Sequence, residues 1–332
     1  MKMKMKSLAL ATAMGLGVVG TAHAYTLGTF DRGVLVPWAL VDGAVDTAVG
    51  LINACNRPIN VYWTFWDEDS NHILDGVFTM TENDMYSFIW SNELGFGLEG
   101  MLGYLTFTPS DRINPVTGLP IINDSCLAGS AFALSIIDGD VAYIPTVPLA
   151  NRDFYAVTPP RNNDPNDPNS LFNEDGNSFE LPFLQNESIV RLTAGAPEGA
   201  NVFMRYFIDG VIGNDVGTNI LVWSPGTNQA WINWYNAGFT PTPAPAGIRD
   251  SVAGTYTTFM YDDNQDRRSV NFSLPNAELN SIDPEQDILG RPATFLDGYI
   301  RWNNVPTDVF SFSVMFDGPT FNATQTILNP HS

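Results

Sequence analysis

Asn60 to Met80, NVYWTFWDEDSNHILDGVFTM, is the stretch that most limits what this chain can fold into. Val61, Trp63 and Phe65 alternate with Tyr62, Thr64 and Trp66, the period of two that belongs to a strand of aromatic and β-branched residues. A polar loop then returns the chain through Val77, Phe78 and Met80, which predicts a β-hairpin. Both faces of the first strand are bulky, so both are expected to be covered, as in the middle of a sandwich.

The same unit recurs as YTTFMYDDNQDRRSVNFSL from Tyr256 to Leu274. Other stretches recur in the same order. Leu40-Val41 ends at Asp42-Gly43, and Phe207-Ile208 ends at Asp209-Gly210. Residues 47–52 match 218–223, Gly103-Tyr104-Leu105-Thr106-Phe107 matches Gly298-Tyr299-Ile300-Arg301-Trp302, and 132–137 match 310–315. A shared order predicts an internal duplication. Each copy holds six or seven short strands with turns between them and little helix period, so two tandem antiparallel β-sandwiches are expected. In this strand pattern the chain resembles the immunoglobulin-like modules of bacterial surface proteins.

The expected boundaries are a signal peptide over 1–24, a first sandwich over 25–145, a linker with extra strands over 146–200 and a second sandwich over 201–332. Lys2, Lys4 and Lys6 precede an apolar run that ends at Ala22-His23-Ala24, the pattern of a cleaved export signal. The linker centre, Pro159 to Asn169, is too rich in Pro, Asn and Asp for helix or strand. Residues 224–254 are an insertion without a counterpart in the first copy.

Export bears on charge and on cysteine. The only lysines among 15 basic residues lie in the leader, so the mature chain sets twelve arginines against 36 acids, a formal charge of −24 (12 − 36). That balance repels nucleic acid and anionic membrane. No segment is long and apolar enough to span a bilayer. Cys55 and Cys126 are the only two cysteines, and in an oxidising compartment they read as one disulfide.

Catalytic patterns are scarce. His72 and His331 are the only mature histidines, with no Gly-x-Ser-x-Gly elbow and no phosphate loop. Trp63, Trp66, Trp90, Trp223 and Trp302 fall in strand patterns and are expected in cores, whereas Trp231, Trp234 and Tyr235 of the insertion are candidates for a sugar-stacking platform. Asp67, Asp69, Asn71 and Asp75 place oxygens at alternate loop positions that suit calcium, and Asp262, Asn264 and Asp266 form the matching loop. A polar hairpin tip would favour the same residues.

The expectation is an exported, non-enzymatic structural or adhesion protein of a cell surface or extracellular matrix, with the periplasm as a further location and calcium as the one candidate cofactor. Its partners would be a surface polysaccharide or an envelope protein, or further copies of itself. The alternative is a secreted carbohydrate-binding or carbohydrate-cleaving protein.

Overall fold

The computed structural model describes residue 30 and residues 33–68, 72–93, 97–110, 126–136, 139–151, 190–192, 196, 199–208, 217–224, 255–276, 278–305, 309–316 and 324–332. The expected export leader, the proline-rich centre of the linker and all of the insertion beyond residue 224 lie outside these residues. The first half contributes β1 (Val34–Ala39), β2 (Val45–Asn53), β3 (Ile59–Asp67), β4 (His72–Met80), β5 (Met85–Ile89), the one-turn helix α1 (Trp90–Glu93), β6 (Gly103–Ser110), β7 (Leu127–Ser135) and β8 (Val141–Ile144). Then come β9 (Val147–Asn151) and β10 (Val190–Leu192). The second half contributes β11 (Val202–Phe207), β12 (Gly217–Trp223), β13 (Thr255–Asp262), β14 (Arg267–Ser273), β15 (Leu279–Ile282), β16 (Asp297–Trp302), β17 (Phe310–Phe316) and β18 (Thr324–Leu328).

These strands form four antiparallel sheets in sandwich-like packing. The first half has β10-β9-β1-β6-β3-β4 and β5-β2-β7-β8, and the second has β11-β16-β13-β14 and β15-β12-β17-β18. Apart from the added β9 and β10, the eight-strand order is the same in both halves, as an internal duplication predicts. Single residues follow the repeat. Asp67 pairs with Gly103 and Asp262 with Gly298. Thr47 Oγ1 donates to the Leu40 carbonyl at 2.9 Å and accepts its amide at 3.0 Å, and Thr218 does the same with Phe207, both at 2.8 Å.

One sequence match slides. Thr47 lies opposite Ala133 and Thr218 opposite Met315, so 310–315 align four residues away from the match with 132–137. The segment after β4 divides into a turn and a strand. Thr81 to Asp84 is a turn closed by the Asp84 carboxylate, which accepts the Thr81 amide at 2.8 Å and holds its own pKa below the usual range through that bond. The strand proper is β5.

Gly103 and Gly298 occupy the closest approaches in the two halves. A Cβ on Gly103 would stand 2.1 Å from the Trp66 carbonyl oxygen, and one on Gly298 would stand 1.9 Å from that of Tyr261. Both obstacles are backbone, so neither can swing away. Gly103→Ala and Gly298→Ala are each expected to cost about 2–3 kcal/mol, the range of overpacking that forces backbone shifts. Gly43→Ala, whose Cβ would meet nothing within 4 Å, serves as the neutral control. Urea midpoints measure all three, and a Gly298→Ala midpoint equal to that of Gly43→Ala would disprove the crowding.

Trp63, Trp66, Trp90, Trp223 and Trp302 are all buried. Trp63 meets Phe88 and Trp90 edge-on at 5.2 and 6.0 Å, joining the two sheets of the first half. In the second half Tyr256 and Phe272 close on Trp302 at 5.0 and 5.4 Å. Both faces of β3 are covered, since Val61 to Trp66 are buried without exception. The cover on its outward side includes the second half. Trp66 stacks on Tyr104, Tyr104 meets Trp223 edge-on at 5.8 Å, and the Tyr104 hydroxyl donates to the buried Glu278 carboxylate at 2.5 Å. The Glu68 carbonyl accepts the amides of Glu278 and Leu279 at 3.2 and 3.1 Å. Leu221, Trp223, Leu279, Phe310 and Phe312 therefore belong to the core of the first half, although Ile220, Val222 and Ile282 on the reverse of the same sheet belong to that of the second. The sheet β15-β12-β17-β18 thus packs against both halves, and its edge strand β18 also meets β8. Where the halves meet below Trp38 and Leu40 they leave a cavity of about 410 Å³.

Candidate functional site

The sheet β11-β16-β13-β14 has one face in the core of the second half. Inward positions carry Met204, Tyr206, Met260 and Ile300, all fully buried. Period two then places Phe203 and Arg205, Tyr299 and Arg301, and Phe259 and Tyr261 on the outer side. The register lines these up across the sheet. Phe203, Arg301 and Phe259 form one row, and Arg205, Tyr299, Tyr261 and Arg267 the next. Guanidinium groups thus stand beside rings in both rows.

The geometry locks this pattern. Tyr261 and Tyr299 stack at 4.8 Å, and Phe203 lies 6.0 Å from Tyr299. The Arg301 guanidinium sits over Phe203 at 5.7 Å and that of Arg267 over Phe259 at 4.7 Å, both cation–π contacts. Arg205 is tied down instead, by Asp297 and by the carbonyls of Tyr206 and Gly298. Arg301 Nε is a buried donor without a hydrogen-bond partner among the described residues. Tyr299 is 37 % exposed. Behind the face, burial first and then the Asp262 and Asp297 carboxylates raise the Tyr206 hydroxyl well above its ordinary pKa, while Arg205 and Arg291 oppose them. It stays protonated and donates to the Tyr261 carbonyl at 2.9 Å, which fixes the strand that carries Tyr261.

The sequence matches no protein-family model and no curated protein. Among solved structures, a Bacteroides fragilis protein assigned as a β-galactosidase aligns at 8 % identity over 94 % of this chain and 34 % of its own length, with a TM-score of 0.15. A score that low carries no argument.

The residues singled out from the sequence are placed elsewhere. Trp231, Trp234 and Tyr235 lie outside the described residues, as do Asp69 and Asn71. Asp67 ends β3 on the side of Phe65, whereas Asp75 stands opposite Thr64 on the other side of the sheet, so the hairpin does not bring these two carboxylates together. Asp262 is buried and accepts the Asp266 amide at 2.7 Å, closing the β13–β14 turn, with Gln265 in the left-handed region. Asn264 and Asp266 are exposed at that tip. Among the described residues no three His, Cys, Asp or Glu side chains converge as a metal site. Cys55 and Cys126 form the expected disulfide.

The aromatic and guanidinium face was not singled out in the sequence. Its signal is there, as Phe203-x-Arg205, Tyr299-x-Arg301 and Phe259-x-Tyr261, with buried Met204, Ile300 and Met260 between.

Proposed function

We propose that this is an exported, non-enzymatic surface or matrix protein that binds a carboxylate-bearing polysaccharide on the outer face of its last sheet. The observation that carries the reading is the outward row in which Arg301 stands between Phe203 and Phe259, beside the exposed Tyr299, in a chain of formal charge −21. Flat rings offer stacking surface to sugar rings, and guanidinium groups match carboxylates with paired N–H donors. A neutral glucan would need the rings alone.

The first half supplies an internal parallel. Tyr104 is the counterpart of Tyr299, and it already holds a carboxylate, that of Glu278, beside an aromatic ring. Polygalacturonate or alginate, titrated against neutral dextran, tests the proposal. Binding of the acidic polymer is expected to weaken with salt. Arg301→Ala and Tyr299→Ala should each weaken it about tenfold, equivalent to about 1.4 kcal/mol, with circular dichroism unchanged because both side chains lie on the outward side of the sheet. Equal affinity for dextran, or full affinity in Arg301→Ala, would overturn the proposal.

A further inference from the structure

The outer face of β5-β2-β7-β8 is the topological counterpart of a face that the second half keeps covered. In β15-β12-β17-β18 that face carries Leu221, Trp223, Leu279, Phe310 and Phe312 and is sealed against the first half. The Thr47–Thr218 equivalence maps Ile52 onto Trp223, and strand pairing maps Met85 onto Leu279. In the first half the same side is open. Ile52 is 45 %, Met85 70 %, Val141 52 % and Tyr143 42 % exposed. The register sets Ile52 beside Met85, and Ala48 beside Phe132, which in turn faces Tyr143. Gly50, Ser87 and Ser130 lie flat between these apolar groups. The only charged residue on this side of the strands, Asp46, is buried and occupied by the amides of Thr47 and Ser91 at 2.7 and 3.1 Å.

We infer that this face docks on the same face of a second copy, giving a two-fold dimer. An uncharged apolar face on a strongly acidic protein gives no electrostatic reason to attract a charged partner, and two such chains can meet on it without opposing their charges. The alternative acceptor is the outer face of the last sheet, counterpart of the surface that receives Trp223. That pairing would bury Arg267 and Arg301 against a face with no acceptor carboxylate, at a desolvation cost the self-pairing avoids. Four strands about 4.8 Å apart and four outward residues deep present roughly 400 Å² per copy. That places the dimer at the weak end of specific interfaces, micromolar or weaker.

Self-pairing leaves the aromatic and guanidinium face of each copy uncovered, since it belongs to a different sheet. If those faces hold polysaccharide, as proposed above, the dimer is a two-site cross-linker with the gain that bivalence brings.

Sedimentation equilibrium of the full chain, from micromolar to millimolar, tests the dimer without any ligand. Concentration-dependent dimerisation is expected. Ile52→Glu/Val141→Glu should weaken it at least about tenfold by setting like charges across the axis, with circular dichroism unchanged because both positions are exposed. Ser130→Cys, near the centre of the face, should oxidise to a covalent dimer, whereas Thr257→Cys on the last sheet should not. A monomer at millimolar concentration, full dimerisation of the double variant, or no cross-link at Ser130→Cys would each overturn the inference; protection of the face by the chain's own residues would appear as the first of these. Alginate separates the two proposals. Gelation by the wild type but simple binding by the double variant supports both, whereas a dimer that ignores alginate retains the interface and removes only the polysaccharide.

Discussion

Trp223→Ala is expected to cost about 3–5 kcal/mol, the range for a buried Trp, and to divide one cooperative unfolding transition into two. Trp223 sits in a sheet shared by two cores, pointing into the first half while Val222 beside it points into the second. Its ring meets Tyr104, which stacks on Trp66, so its removal opens a void in the seam between the halves. For a protein of this size the loss corresponds to roughly 6–20 °C in melting temperature. Among the described residues Trp223 Nε1 is a buried donor without a partner, which places the cost toward the lower end of the range. Trp223→Phe, which keeps a ring and discards that donor, should lose much less. Differential scanning calorimetry reads both numbers. A single transition retained in Trp223→Ala with a shift under about 1 kcal/mol would show that the seam does not couple the halves.

The seam also marks how far the sequence could be read. The β3–β4 hairpin and the five core tryptophans were legible because bulky residues on both sides of Val61 to Trp66 leave no polar face to give to solvent. The placement of β1 beside β6, and of β2 between β5 and β7, was not legible, since pairing between distant strands leaves no local mark. The slip of four residues in β17 has the same root. A small–large alternation repeats every two residues, so 132–137 and 310–315 can be superposed at several even offsets, and only Thr47 and Thr218 with their clamped carbonyls fix the choice. The candidate site failed for a different reason. Trp66, Tyr104 and Thr106 occupy in the first half the positions of Tyr261, Tyr299 and Arg301 in the second. Only the arrangement of layers decides which set is buried under a neighbour and which meets solvent.

Loss of the Cys55–Cys126 disulfide is expected to destabilise the protein by about 4 kcal/mol, on the chain-entropy account of a loop of this length, and to act on the first half alone. The two cysteines are 71 residues apart and join the end of β2 to the start of β7, enclosing β3 to β6. Hydrogen bonds support the same corner. The Ala54 amide donates to the Cys126 carbonyl at 2.9 Å, and the buried Asn53 side chain accepts the Cys55 amide at 2.9 Å while donating to the Thr81 carbonyl at 2.7 Å. The second half repeats the strands but has no cysteine, so nothing in it is cross-linked. Both sulfur-bearing residues are buried, and reductant should therefore act slowly on the folded chain and quickly in urea. In wild type, Cys55→Ala/Cys126→Ala should lower the single transition, because the seam forces both halves to unfold together. In the Trp223→Ala background it should lower only one of the two transitions. If both move together there, the Tyr104–Glu278 bond and the Glu68 carbonyl still couple the halves, and Trp223 is not the residue on which that coupling depends.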